Sequence, residues 1–408
     1  MKEFFNVETI EAVLAHASSF SPVESEAVPL AECLGRVLAA DVSSDVDIPD
    51  FDRSTMDGYA VRAASTFGAS EANPAYLDVC GQVKMGVRPD FSVQPGQAAR
   101  IATGGMLPKG ADSVIMVEHT DQLDDSTIEA YRSVAPGQHV IEKGEDIHKS
   151  RPALAKGTRI RPQEAGLLAA CGKTETKVFR RPMVGIISTG DEVVPVDQVP
   201  AVGQIRDINA HSLSGQVLEA GGVPVNFGIV KDDRDDLMGK CRQALQLTDM
   251  VMISGGSSVG ARDFTVEVLD ELPDTGILVH GISISPGKPT ILARSGGKAF
   301  WGLPGHAVSA MVVFAVVVRP FLDRICGLSA TTRQFPIQAV LNRNLASAQG
   351  RVDCVRVRLF EENGAIVAEP ILGKSGLINT MVKADGLISI GMNTEGLDEG
   401  AMVEVMPL

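Results

Sequence analysis

The chain has 408 residues, of which 44% are hydrophobic, 22% charged and 4% aromatic, and its formal net charge is −14. Its length predicts roughly two to four domains. The acidity and the shortage of aromatic rings argue against nucleic-acid binding, which needs basic faces and stacking platforms. Any small anionic ligand must then be met by local positive charge.

Six cysteines are spread singly, with no C-x-x-C. They read as small core residues of a reduced, cytoplasmic protein, not as zinc ligands or disulfides. The N-terminus carries Glu3, Glu8 and Glu11 and no apolar signal core. The longest apolar run, 307–318, is too short for a membrane span, which takes about 20 residues.

In chain order, Ile10, Val13 and Leu14 repeat at helical spacing. From about 47 to 146 the text turns to short β-type runs broken by Gly and Pro, predicting an all-β insertion. "RPQEAGLLAACG" is helical again. From 183, uniformly apolar strands ("MVGIIS", "VPVNFGIV", "DMVMIS") alternate with helices, the pattern of βαβ units on a mostly parallel sheet. "HAVSAMVVFAVVVRPFLDRI" predicts one long closing helix. The last 75 or so residues return to short strands and predict a small β-barrel.

Polar residues collect at the strand ends of the α/β region. "IIS" is followed by Thr189, Gly190, Asp191 and Glu192, and "GIV" by Asp232 and Asp233. "MIS" is followed by Gly255 to Gly260 with Ser258 and then Asp263, and "FWG" by Leu303, Pro304, Gly305 and His306. One such turn needs no explanation beyond helix capping. Four at one sheet edge point to a ligand approached by backbone and helix ends. Glu192, Asp232 and Asp263 are hard oxygen donors that suit Mg²⁺ beside a phosphate, although capping alone would also explain an Asp at 232, 233 or 263.

Three Gly-rich polar stretches mark the insertion: "DIPDFDRSTMDGYAVRA" with Asp57, "ATGGMLPKGAD" with Thr103 and "EKGEDI" with Asp146. Further on, "GISISPGKPTI" places Lys288 in a tight loop fit to hold an anion. Arg356 and Arg358 alternate with valines and share one strand face. "GKSG" offers the Ser375 hydroxyl in another turn.

Eight motifs then stand in order: "DFDRSTMDGYAVR", "RIATGG", "KGEDI", "STGDEV", "GQIRDIN", "SGGSSVG..DFT", "PGKP" and "GLPG..VSA". Together they closely resemble the molybdopterin molybdenumtransferases, the MoeA family that includes the E domain of gephyrin. The resemblance spans nearly the whole chain.

It implies four domains: 1–46 with 147–180 flanking the insertion, the elongated β insertion at 47–146, a molybdopterin-binding α/β domain at 181–328, and a C-terminal β-barrel at 329–408. It implies a homodimer that takes adenylylated molybdopterin and molybdate, needs Mg²⁺, and leaves molybdenum on the dithiolene as AMP departs. A molybdopterin adenylyltransferase and recipient molybdoenzymes would be its partners; nucleic acid and membrane would not. Asp57, Asp232 and Glu192 match catalytic carboxylates, with Glu192, Asp232 and Asp263 as metal candidates. Thr103, Asp146, Ser258, Asp263, Lys288, Arg356 and Ser375 match substrate-binding positions.

Two positions depart from the family pattern. A lysine usually precedes "PGKP", where this chain has Ser285, and "GLPGNPVS" here reads "GLPGHAVS", with His306. Losing a lysine from an anion site forgoes about 1.5–3 kcal/mol. A paralogue of the same fold that is non-catalytic, or shifted in metal preference, is the alternative these departures raise.

Overall fold

The computed structural model describes residues 7–255, 264–329 and 335–408. The chain packs as two compact units: residues 41–155 with 162–174, and residues 1–40 with 156–161 and 175–408.

The first unit is built on a six-stranded sheet in the order Ser113–Met116, Gly58–Val61, Gln97–Ile101, Ala75–Gln82, Thr127–Ala130, Thr120–Gln122. Gly58–Val61 is buried on both faces. Tyr59 and Val61 pack with Leu77, Ile115 and Ile128, while Ala60 packs with Val83, Val93 and Val114. Gly58 is required by close approach: a Cβ there would lie 1.8 Å from the Ile115 carbonyl oxygen.

The second unit holds the predicted α/β domain. Its sheet runs Val223–Val230, Met183–Thr189, Met250–Ser254, Lys298–Leu303, Ile291–Ser295, Thr275–His280. The first four strands are mutually parallel, and the last two are joined on by successive antiparallel pairings. Met250 and Met252 enter one core with Ala210, Leu213 and Val217 of the helix Asn209–Ala220. Val251 and Ile253 enter the other, with Leu237, Cys241 and Ala244 of the helix Arg234–Leu247. Helices on both faces explain why these strands read as continuous apolar runs and not as alternating ones.

The predicted long closing helix is interrupted. Ala307–Val313 and Arg319–Ile325 are α-helical, and Phe314–Val318 between them is a π segment. Pro320 lacks an N–H and crowds the preceding turn, so the ladder widens just before it.

The last region is a barrel of five strands, as expected. Val352–Glu362, Ala365–Pro370, Ile337–Leu341, Met402–Pro407 and Gly386–Ile390 pair in that order, and Val352–Glu362 closes the ring on Gly386–Ile390. Leu341, Val357, Ile388, Val403 and Val405 fill its interior. The short strand Ile284–Ser285, from the loop that carries Lys288, pairs in parallel with Val352 and Asp353 of the barrel. That pairing anchors the lysine turn to the C-terminal region.

Candidate functional site

The crevice lies where the parallel strands end. Ser188, Thr189 and Ser254 are the terminal residues of two adjacent strands and are all buried. Gly255 follows with φ +107°, and a Cβ there would lie 2.5 Å from the Thr189 carbonyl oxygen, so only glycine fits. Gly305 comes within 3.6 Å of the Gly255 Cα, measured from where its own Cβ would be. Asn209, buried at the start of its helix, ties the floor together. Its Nδ2 donates to Ser254 Oγ at 2.5 Å and to the Gly305 carbonyl at 2.8 Å. Asp207 Oδ1 accepts the Ala210 N–H and caps the same helix.

Three side-chain oxygens on this floor have no hydrogen-bond partner although they are buried: Ser188 Oγ, Thr189 Oγ1 and Asn209 Oδ1. A buried polar atom left unpaired costs about 1–3 kcal/mol. Three together at a strand-end crevice are groups that a polar ligand or water would satisfy.

Carboxylates rim the crevice. The Asp232 backbone N–H donates to Asp191 Oδ1 at 3.2 Å. Desolvation, with the charges of Asp191 and Glu192 beside it, pushes the Asp232 carboxyl above its ordinary range. The helix cap that could have explained Asp232 is made instead by Asp233, which accepts the N–H groups of Asp235 and Asp236. The Glu192 carboxylate folds back over Gly190, occupying the space a Cβ there would need. Among the described residues, no group of three or more His, Cys, Asp or Glu is gathered closely enough to hold a metal ion alone. Ser258 and Asp263 lie outside the described residues.

A second polar corner sits where the barrel meets the long helix. Arg356 and Arg358 share a strand face, yet Arg356 is 7% exposed and Arg358 is open to solvent. The Arg356 Nη2 donates to the Gly373 carbonyl at 3.0 Å. Its Nε and Nη1 are buried without partners. Burial works against the charged guanidinium and lowers its pKa.

Two residues beyond Gly373, the Ser375 carbonyl accepts the Val308 N–H, and Ser375 Oγ lies 2.9 Å from His306 Nδ1. Lys288 is exposed on its turn. The turn itself is fixed: Lys288 O accepts from Ile282 and Thr290, and a Cβ on Gly287 (φ +124°) would strike Val313. Ser285 sits in register with Asp353, a buried carboxylate that accepts from Ser347 Oγ at 2.6 Å and pairs with Arg351 at 3.0 Å.

The insertion unit has its own cluster, and it gathers all three Gly-rich stretches. Asp57 Oδ1 accepts the Thr103 N–H at 2.7 Å and the Thr103 hydroxyl at 3.0 Å. These two donors, the backbone one first, hold the Asp57 carboxyl below its ordinary range. Asp52 Oδ1 accepts the Lys143 N–H, Ser54 O accepts the Gly104 N–H, and Ile48 O accepts the Asp146 N–H. Asp57 and Thr103 thus touch, while Asp146 is exposed on the neighbouring turn.

Comparison with known proteins finds three family models along the chain. Family models for the MoeA N-terminal region (domain I and II), a molybdopterin binding domain and the MoeA C-terminal region (domain IV) match residues 6–172, 185–324 and 338–408. The molybdopterin molybdenumtransferase of Bacillus subtilis is 33% identical over 387 residues, covering 94% of this chain and 90% of the relative. The chain belongs to the MoeA family.

The Nostoc molybdopterin molybdenumtransferase is 36% identical over 312 residues, covering 76% of this chain and 71% of the relative. A solved molybdopterin biosynthesis MoeA protein of Pyrococcus horikoshii superposes with a TM-score of 0.85 at 31% identity, over 99% of this chain and all of that one. Within this MoeA chain, sequence reasoning missed Asn209 and Asp207. Both stand in the quoted motif "GQIRDIN", next to each other in function: one caps the helix and the other seals the crevice floor. An Asn opening an apolar helix two residues after an Asp was the available signal.

Proposed function

We propose that this MoeA-family protein inserts molybdenum from molybdate into adenylylated molybdopterin with release of AMP, in molybdenum cofactor biosynthesis. The observation that carries the reading is Arg356: a buried guanidinium with two unpaired nitrogens and, among the described residues, no carboxylate in ion-pair contact. An uncompensated buried charge is costly, and a tetrahedral oxyanion is the partner such a fork fits. Ser375 and Lys288 supply a hydroxyl and a second cation from the turns described above. The crevice floor of Ser188, Thr189 and Asn209 takes the pterin, whose ring edge offers the donors and acceptors these oxygens lack.

Mg²⁺ fits the rim. Asp232, Asp191 and Glu192 crowd like charges, a strain that a cation relieves. Too few protein ligands gather to enclose it, so substrate phosphate oxygens and water complete its shell. When bound, it neutralises charge that builds on the phosphoanhydride as it breaks. Asp57, kept ionised by Thr103, is an acceptor able to orient a water or hydroxyl without being protonated at neutral pH.

The protein works in this reading as a cytoplasmic homodimer, supplied by a molybdopterin adenylyltransferase and serving molybdoenzymes. All six cysteines are free, and no helix of the described residues is long and apolar enough to cross a membrane.

The test is AMP release from adenylylated molybdopterin with Mg²⁺, with and without molybdate. Molybdate-dependent release is expected, and its absence overturns the reading. Asp57→Ala and Asp232→Ala should each lower the rate by about 100-fold or more while the melting temperature stays close to wild type, since both carboxylates are exposed.

A further inference from the structure

His306 stands at the N-cap of the helix Ala307–Val313 but makes no capping bond with its side chain. Its ring turns the other way, towards the 373–376 turn, and places Nδ1 at 2.9 Å from Ser375 Oγ. The same turn receives two further ties. Val308 donates its N–H to the Ser375 carbonyl, and Arg356 donates to the Gly373 carbonyl. The turn is therefore held at three points, and only the one from His306 reaches the serine hydroxyl.

The direction of that hydrogen bond decides what Ser375 can offer. A serine hydroxyl has one proton and two lone pairs. If Ser375 gives its proton to His306, it presents lone pairs alone to the pocket, and these repel an oxyanion. If Nδ1 carries the hydrogen and donates, the serine proton is released towards the neighbouring space. Arg356, which ties the same turn through Gly373, keeps its two other nitrogens buried and unpaired.

We propose that His306 is a positioning residue for the anion site: by donating from Nδ1 to Ser375 Oγ, it turns the serine hydroxyl into a donor for the bound oxyanion. His306 acts through Ser375 and does not itself touch the anion. The inference rests on molybdate as the anion held by Arg356 and Ser375.

A double-mutant cycle read by titration calorimetry with molybdate tests it, using His306→Ala, Ser375→Ala and the double variant of the full chain. His306→Ala should weaken molybdate binding about 5- to 10-fold, the range for one hydrogen bond to a charged group. In the Ser375→Ala background the same change should cost less than about 2-fold, because its route to the anion is gone. His306→Asn, whose amide can donate from a similar place, should recover most of the affinity. His306 is exposed, so melting temperatures should hardly move in any of these proteins.

Equal losses in the two backgrounds would overturn the positioning role, as would wild-type affinity in His306→Ala. If the wild-type protein binds no molybdate, the reading of the site itself fails, a result separate from either of these. A fall in kcat at saturating molybdate, with unchanged affinity, would also place His306 elsewhere and overturn the inference.

Discussion

Single positions separate this chain from its family pattern, and Ser285 is the sharpest case. The simplest expectation is that restoring a lysine there adds charge to the anion site. The register argues otherwise. Position 285 faces Asp353, whose carboxylate is buried and already paired with Arg351. A lysine at 285 meets that carboxylate before it meets the anion, and its charge is largely cancelled. Ser285→Lys should therefore change molybdate affinity by less than about 3-fold, whereas Ser285→Lys combined with Asp353→Asn should tighten it by about 10-fold. Calorimetry on the two variants distinguishes the cases, and a full gain from the single change would show that Asp353 does not reach the introduced amine.

The residue scale was also the least legible in the sequence. Arg356 and Arg358 are indistinguishable in a strand pattern. Only the turn at 371–376, arriving from elsewhere in the chain, covers one of them and leaves the other in solvent. The pair Asp232 and Asp233 could not be split by composition either. Which one caps the helix is decided by the backbone: Asp233 is extended, with φ −120° and ψ 127°, and aims its carboxylate at the first turn.

Elements were far easier to read. Uniformly apolar strands alternating with amphipathic helices are a direct imprint of a sheet covered on both faces, and Met250 to Ser254 shows it residue by residue. The π segment at 314–318 was not legible, because it answers to packing around Pro320 and leaves the apolar pattern unchanged.

The entry to the α/β domain depends on a polar latch that periodicity also hides. Arg180 makes a two-pronged bond to Asp249, both contacts at 2.6 Å, and Asp249 Oδ2 also accepts the Met183 N–H. Burial pushes the Asp249 carboxyl up, but these donors outweigh it and leave the group below its ordinary range. A carboxylate with a depressed folded pKa stabilises fully above its unfolded value, about 3.9. That contribution is lost as pH falls from there through the folded value. Asp249→Asn should lower stability by about 2 kcal/mol at pH 7. The gap to wild type should shrink below about pH 4 in a series of thermal melts. A gap that stays constant down to pH 2 would mean the latch is not electrostatic.

At the scale of the whole molecule, the proposed dimer needs a surface that is poorly suited to water. The α/β and barrel regions together leave a cleft of about 1570 Å³. Met311, Phe314, Ile378 and Val382 line it, with Arg319 and Asp323 at its polar side. Burial raises the Asp323 carboxyl, and one of its oxygens has no hydrogen-bond partner. Val382 is 77% exposed. A large apolar side chain in solvent beside a cleft of this size is better explained by a covering chain than by the fold of one copy. A second copy is the occupant consistent with the family reading, because closed two-fold pairs are the commonest assembly of such chains. Light scattering should give the mass of two 43.1-kDa chains for the wild-type protein. Val382→Asp buries no charge within a single copy, so it should leave the far-UV circular dichroism unchanged and shift the mass to that of one chain at micromolar concentration. A variant that stays dimeric would move the contact surface away from this cleft, and a wild-type protein that elutes as a single chain would remove the dimer from the functional reading altogether.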